Sequence, residues 1–105
     1  MRTRKKKLAD YGIGEERGTE LLKLAALEEN QETVCRAANL SNPYLAPYLV
    51  RSLQQGIGYY KLFGKMYFRP CTGADFYGYR RKTLAIMDRL MANEEGELHS
   101  QHVEP

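Results

Sequence analysis

The fold is decided by the stretch Cys71-Thr-Gly-Ala-Asp-Phe-Tyr-Gly-Tyr-Arg-Arg-Lys-Thr-Leu-Ala-Ile-Met-Asp-Arg-Leu-Met91. Thr72 is an N-cap candidate, and Asp75 three residues later completes a shortened capping box, so a helix should begin here. Winding the chain at about 100° per residue gathers the apolar side chains on one side: Phe76, Tyr79, Thr83, Ile86, Met87, Leu90 and Met91. The other side contains Ala74, Tyr77, Gly78, Arg81, Lys82, Ala85, Asp88 and Arg89. The stretch therefore predicts an amphipathic helix whose solvent face is aromatic and basic near its N-terminus.

Size and composition indicate one domain with its own hydrophobic core. The chain has 105 residues, of which 43% are hydrophobic, so neither disulfides nor metal are needed to hold it together. Cys35 and Cys71 form no Cys-x-x-Cys pair and fit a reducing compartment. No apolar run approaches the roughly 20 residues of a membrane span, and no apolar segment follows the basic start as it would in a signal peptide. We therefore expect a soluble cytoplasmic protein without membrane segments, cofactors or bound metal.

Charged residues are segregated along the chain, whose net charge is +3. Residues 1–7 carry five cations: Arg2, Arg4, Lys5, Lys6 and Lys7. Three cations and seven acids follow in residues 8–42, eight cations and two acids in residues 43–91, and four acids without a cation in residues 92–105. This distribution predicts a flexible basic arm over residues 1–7, a flexible acidic tail over residues 93–105 and electrical polarity across the domain between them.

The first half of the domain predicts short helices. Residues 8–11 fit one helical turn that ends at a Gly-Ile-Gly break. A longer helix is predicted over residues 15–29 and another over residues 31–40, in which Leu40 should face inward with the apolar residues before it. Cys35 should lie half-buried on that second helix.

Two further helices are predicted before residue 71. The first should span residues 43–55, capped by Asn42 and ended by Gly56, with Tyr44 on its apolar side. A short helix should follow over residues 58–65. Since no strand-like alternation persists anywhere, the predicted fold class is all-α, a small bundle of four to five helices.

The single helical domain is predicted over residues 8–92, with a helix-turn-helix-like unit at about residues 44–91. Its order of elements is a supporting helix, a glycine break, a short helix, a turn and the capped basic helix. One departure is the connection from Leu62 to Thr72, which is longer than a tight helix-turn-helix turn. We therefore expect the loop between them to bulge.

Two stretches resemble known DNA-binding families. The run Gly56-Ile-Gly-Tyr-Tyr-Lys-Leu62 resembles region 4 of bacterial sigma factors, with Gly56, Gly58, Tyr59 and Leu62 at the matching positions. The run Asp75-Phe-Tyr-Gly-Tyr-Arg-Arg-Lys82 is similar to the recognition segment of small phage-borne or mobile-element proteins of Gram-positive bacteria, which are sigma-like in their C-terminal half. The resemblance implies an all-helical DNA-binding protein that acts in transcription or phage gene control.

Enzymatic function is not expected from this sequence. The chain has no phosphate-cradling glycine loop, no Gly-x-Ser-x-Gly and no His-Glu-x-x-His. Cys71 has no histidine near it in sequence to activate it. His99 and His102 are three residues apart, a spacing that suits metal on a helix, but they lie in the acidic tail without a third ligand, so no metal site is predicted.

The first functional hypothesis is binding of double-stranded DNA by the basic helix. Tyr77, Arg81 and Lys82 would approach base edges, while Arg80 would reach towards the phosphate backbone. Gly78, expected on the exposed face, would permit close approach either to a sugar-phosphate backbone or to another helix. The full set of predicted DNA-binding residues is Tyr77, Arg80, Arg81, Lys82, Arg69, Lys65, Arg2, Arg4, Lys5, Lys6 and Lys7.

The second hypothesis is an adaptor that binds another protein, such as a transcription or phage factor. Tyrosine is enriched at protein interfaces, and the predicted anchors are Tyr44, Tyr48, Tyr59, Tyr60 and Tyr67. An open face shared by Arg81, Lys82 and Arg69 would favour DNA, whereas an acidic helix covering them would favour the adaptor. A homodimer is compatible with both hypotheses. RNA is less favoured, because the sequence has neither an aromatic sheet motif nor a sign of a stacking platform.

Overall fold

A computed structural model of the protein describes the backbone of residues 6–103 and the side chains of residues 6–93. Its five α-helices are α1 (Glu15–Ala25), α2 (Gln31–Ser41), α3 (Ala46–Gln55), α4 (Tyr59–Phe63) and α5 (Gly73–Val103). Short 3-10 helices precede α1 at Leu8–Tyr11 and α2 at Glu28–Asn30. Residues 6–103 contain no strand, and the predicted all-α bundle is confirmed for this range.

Helix α5 is the centre of the bundle. It packs most extensively against α2, and α1, α3, α4 and the first 3-10 helix also contact it. Phe76 and Met87 are fully buried, as predicted, but Gly78 and Ala85 are buried as well. The prediction that these two small residues face solvent was wrong, because α5 is enclosed on more than one side and its small residues allow neighbouring helices to approach.

Two groups of buried side chains make up the core. One joins α1, α2, α3 and α5 through aliphatic residues that include Leu21, Val34, Leu53, Leu84 and Met87. The other is aromatic and places α4 between α3 and α5: the Phe63 ring lies 4.9 Å from that of Tyr48 and 5.4 Å from that of Phe76, between centroids. The short helix α4 is therefore held by tertiary contacts, since a helix of this length is not stable alone.

The predicted start of α5 is confirmed, but its predicted end is not. The backbone N–H of Asp75 donates to Thr72 Oγ1 at 3.2 Å, as an N-cap requires. The sequence predicted that regular structure ends near Met91, whereas the helix continues to Val103. Residues 92–103 include alanine, glutamate, leucine and glutamine, which favour helix without any apolar periodicity.

The boundary between α2 and α3 differs from the prediction. Asn42 Oδ1 accepts hydrogen bonds from the backbone N–H groups of Tyr44 (3.0 Å) and Leu45 (3.2 Å), so residues 43–45 form a turn and α3 begins only at Ala46. This local turn competes with helix formation. As a consequence Tyr44 is 78% exposed, and Leu40 just before the turn is 60% exposed. Both were predicted to face inward, and both predictions were wrong.

Candidate nucleic-acid interface

Three of the predicted DNA-binding side chains on α5 make contacts within the fold. Tyr77 is half-buried, and its hydroxyl oxygen accepts a hydrogen bond from the Tyr59 backbone N–H at 3.0 Å. Arg80 Nε donates to Ser52 Oγ at 2.9 Å, and Ser52 Oγ in turn donates to the Ile57 carbonyl at 2.5 Å. Burial lowers the pKa of the Arg80 guanidinium, against a smaller raising effect from Tyr77. These contacts tie α5 to the segment between α3 and α4.

Arg81, the third of these side chains, contacts the base of the N-terminal arm. Its Nε donates to the Lys6 carbonyl at 2.7 Å, and Lys6 Nζ lies 5.3 Å from the centroid of the Tyr11 ring. Desolvation raises the pKa of Tyr11, while the charge of Arg81 acts in the opposite direction. Lys82 is half-buried. Arg81 is thus half-buried and hydrogen-bonded to the backbone of the arm, which differs from the open face that the DNA hypothesis expected.

The remaining predicted residues fall in the arm and in the loop before α5. Lys7 is exposed, and its backbone N–H donates to Asp10 Oδ2 at 2.8 Å. Lys65 and Arg69 are exposed on the loop between α4 and α5. The predicted contacts of Arg2, Arg4 and Lys5 lie outside the described residues. The structure therefore brings together Lys6 and Arg81, and separately the two loop cations.

Gly58 shows why a glycine is needed in the segment between α3 and α4. A Cβ at this residue would lie 2.5 Å from the Tyr77 hydroxyl oxygen. Gly56, two residues earlier, ends α3 in the left-handed conformation at φ 65°, as predicted. The two glycines of the Gly-Ile-Gly run therefore have different roles. Gly56 ends α3, and Gly58 leaves room for the Tyr77 side chain from α5.

We predict that Gly58→Ala lowers the free energy of unfolding by about 1–3 kcal/mol, because the added methyl overlaps the Tyr77 hydroxyl. The same substitution should cost less in a Tyr77→Phe background, where the clashing oxygen is absent. Urea denaturation of all four proteins, followed by circular dichroism, measures the coupling. An equal cost in both backgrounds would contradict this contact.

The connection between α2 and α3 has the length of a helix-turn-helix turn. Helix α2 ends at Ser41, α3 begins at Ala46, and the two helices pack against each other. DNA-binding helix-turn-helix units use a turn of about three to four residues. The connection predicted for this role, from Phe63 at the end of α4 to Gly73 at the start of α5, is longer. The Asn-Pro boundary was recognised in the sequence, but its turn was predicted to be part of the following helix.

Helix α3 presents one polar and aromatic face to solvent. This face consists of Pro47, Tyr48, Arg51 and Gln55, at helical spacings of three and four, and Tyr44 precedes it in the turn before α3. Tyr48 is half-buried against Phe63, and the other four are exposed. Arginine is the side chain that most often recognises guanine, and glutamine pairs with adenine. The face therefore exposes an arginine and a glutamine, two side-chain types that can contact base edges.

The exposed charges in the stretch of chain that contains this face are all positive. Residues 33–74 contain no acidic residue. All five cations in this stretch are exposed: Arg36, Arg51, Lys61, Lys65 and Arg69. The acids Glu15, Glu16, Glu20, Glu28, Glu29 and Glu32 are exposed earlier in the chain, on α1, the second 3-10 helix and the first turn of α2. Residues 33–74, from the first turn of α2 to the start of α5, thus expose cations and no acid. We call their exposed side chains the acid-free surface.

The acid-free surface also carries exposed aromatic rings. The exposed fractions are 78% for Tyr44, 76% for Tyr60, 93% for Tyr67 and 84% for Phe68. Of the five tyrosines predicted to anchor a protein partner, Tyr59 is buried and Tyr48 half-buried, so three are exposed. The Tyr67-Phe68 pair was not recognised as a possible stacking site from the sequence.

Comparison with known proteins gives no relative: no family model, no curated protein and no solved structure matches the chain. The resemblance to sigma-factor region 4 stays a prediction. No helix in residues 6–103 is long and apolar enough to cross a membrane. Among the described side chains, no group of three or more His, Cys, Asp or Glu could hold a metal ion.

Proposed function

We propose that the protein binds double-stranded DNA through α3 and regulates transcription, as expected of a phage or mobile-element regulator. The observation that carries this proposal is the position of Arg51 and Gln55. Both lie on the exposed face of a helix that follows a four-residue turn, and residues 33–74, which include this helix, expose five cations and no acid. A helix that binds the DNA groove in a helix-turn-helix protein must likewise follow a short turn and expose polar side chains that can reach base edges.

The proposed contacts divide into phosphate contacts and base contacts. The exposed cations Arg36, Lys61 and Lys65 would neutralise phosphates, which gives affinity and salt dependence without sequence preference. The N-terminus of α3 adds the positive end of its helix dipole and carries no acid in its first turn. Arg51 and Gln55 would read base edges from the solvent face of α3.

The basic arm would add phosphate contacts to the proposed complex with DNA. Arg81 donates a hydrogen bond to the Lys6 carbonyl, so the base of the arm is fixed against α5. From there Arg2, Arg4 and Lys5 would add phosphate contacts. Arg80 and Tyr77 support the fold through their hydrogen bonds, and the proposal does not need them at a base edge.

We predict that deletion of residues 2–5 leaves the melting temperature nearly unchanged and weakens DNA binding. The deletion removes three cations but keeps the Lys6 carbonyl that Arg81 binds. The slope of log affinity against log salt should fall by up to about 2.7, since each phosphate contact contributes about 0.9. Fluorescence anisotropy at four or more salt concentrations measures this slope. An unchanged slope would mean that the arm only increases solubility.

The test of the proposed function is selection of preferred duplexes from a random pool, followed by affinity measurements on cognate and scrambled DNA at fixed salt. Wild type should bind the selected duplex more tightly than the scrambled one. Loss of Arg51 should reduce this preference, while loss of the exposed Arg89 on α5 should not. If wild type selects no duplex and binds none, the proposal is wrong.

An adaptor that binds a second protein is the other candidate function. It is favoured by the exposure of Tyr44, Tyr60 and Tyr67, because large exposed rings are typical of interface anchors. The charge of the acid-free surface would then require an acidic partner. Failure of the duplex selection would make this candidate the better one.

A further inference from the structure

The loop between α4 and α5, residues 64–70, presents two aromatic rings to solvent; we call it the aromatic loop. Tyr67 is 93% exposed and Phe68 is 84% exposed, and Met66 beside them is 40% exposed. The two rings contact only each other among the ring contacts of the described residues, with centroids 4.9 Å apart. Adjacent exposed rings of this size are typical of a binding surface.

The base of the aromatic loop is braced by hydrogen bonds to α4. Arg69 Nε donates to the Phe63 carbonyl at 3.3 Å, and Arg69 Nη2 lies 3.5 Å from the Gly64 carbonyl. The Arg69 guanidinium also lies 5.8 Å from the centroid of the buried Tyr59 ring. The Met66 backbone N–H donates to the Phe63 carbonyl at 2.9 Å. Arg69 is therefore a positioning residue that holds the backbone from which the two rings project.

The charge next to the aromatic loop favours an anionic partner. Lys65 within the loop and Lys61 on α4 just before it are exposed, and the loop belongs to the acid-free surface of residues 33–74. Exposed aromatic faces next to cations are the combination by which proteins hold single-stranded nucleic acid, with bases on the rings and phosphates on the cations. The charge thus favours nucleic acid over an apolar partner surface.

The angle between the rings distinguishes unpaired bases from a regular duplex. The Tyr67 and Phe68 ring planes are 83° apart. Base pairs in a duplex are stacked nearly parallel, so two perpendicular rings cannot both stack within one such stack. Unpaired bases turn independently about their backbone and can match both rings.

We propose that the aromatic loop stacks on unpaired bases of DNA, next to the duplex that α3 binds. This inference rests on the proposed function, since α3 provides the duplex contact. The protein would then favour a duplex that continues into a single strand, such as a fork or a melted segment. Tyr67 and Phe68 would each take one base, and Lys61 and Lys65 would contact the phosphates between them.

The experiment compares three fluorescein-labelled probes at fixed salt: the selected duplex with blunt ends, the same duplex with a single-stranded thymidine tail, and the tail alone. Wild type should bind the tailed duplex more tightly than the blunt one. A Tyr67→Ala, Phe68→Ala double variant should lose this advantage, by about 5- to 150-fold for each stack that is removed. Its affinity for the blunt duplex should not change.

The matched control is the double variant Tyr67→Phe, Phe68→Tyr, which keeps both rings and should keep the preference for the tailed duplex. Circular dichroism should show that both double variants fold, because the rings are exposed. Equal wild-type affinity for tailed and blunt duplex would overturn the inference and leave the proposed function intact. Failure to bind any of the three probes would overturn both. If the alanine variant instead loses only binding to anionic phospholipid vesicles, the loop binds lipid and the inference is wrong.

Discussion

Phe76→Ala should lower the free energy of unfolding by about 3–5 kcal/mol, a larger loss than we expect for Gly58→Ala. Phe76 is fully buried, and its ring contacts those of Tyr59, Phe63 and Tyr77 at centroid distances of 5.4 to 5.9 Å. Its loss leaves a cavity where α4 packs on α5. Domains of this size unfold at a cost of about 5–15 kcal/mol, so a large part of the stability would be lost.

Phe68→Ala is the matched control, since it removes the same side chain from a position that is 84% exposed. Its effect should stay within about 0.5 kcal/mol, as is usual at the surface. Urea denaturation of both variants, followed by circular dichroism at 222 nm (roughly the helical minimum), provides the comparison. Similar midpoints for the two variants would show that α5 is not the packed centre of this bundle.

The sequence alone was sufficient to predict those features of the structure that depend on neighbouring residues. Thr72 caps α5, Gly56 ends α3, and the turn at Leu8–Tyr11 ends at Gly12, which has φ 78°. Each of these depends on side chains or dihedral angles within a few residues of one another. Hydrophobic periodicity also predicted the all-α class correctly, because it reports which face of each helix is apolar.

The sequence alone was not sufficient to predict the surroundings of a side chain whose hydrogen-bond partner is distant in the chain. The hydrogen-bond partner of Tyr77 is 18 positions away in the sequence, that of Arg80 is 28 positions away and that of Arg81 is 75 positions away. Tyr77 and Arg81 were predicted to face DNA, because a polar residue off the apolar stripe is expected to be solvated. Arg80 was predicted at the margin of the buried side, from which it would reach the phosphate backbone. Helix periodicity cannot show that a second layer of helices covers the other side of α5.

The sequence predicted α5 as the DNA-reading helix, whereas we propose α3, and the difference has a related reason. Among the predicted helices, the α5 stretch has the densest basic charge, whereas α3 itself contains Arg51 as its one charged residue. In the folded protein, however, α2, α4 and the aromatic loop also expose cations. The charge proposed to support binding by α3 comes from these other elements, so the sequence pattern of α3 alone does not contain it.

Arg51→Ala should remove most of the preference for the selected duplex, with a loss of about 1–3 kcal/mol in binding free energy, or about 5- to 150-fold in Kd. Arg51 is exposed on the solvent face of α3, one turn before Gln55, so its guanidinium can donate two hydrogen bonds to a guanine edge. Stability should change little, because the structure shows it as an exposed side chain.

Arg51→Lys separates base recognition from charge. Lysine keeps the positive charge but lacks the planar fork of arginine. If Arg51 reads a base, the lysine variant should keep the salt slope and the affinity for scrambled DNA, and lose the preference for the selected duplex. If Arg51 contacts only phosphate, lysine should behave like wild type on both DNAs. Arg89→Ala removes an exposed arginine from α5, outside the acid-free surface, and should leave the preference unchanged. An Arg51→Ala protein that still prefers the selected duplex as wild type does would exclude α3 as the reading helix.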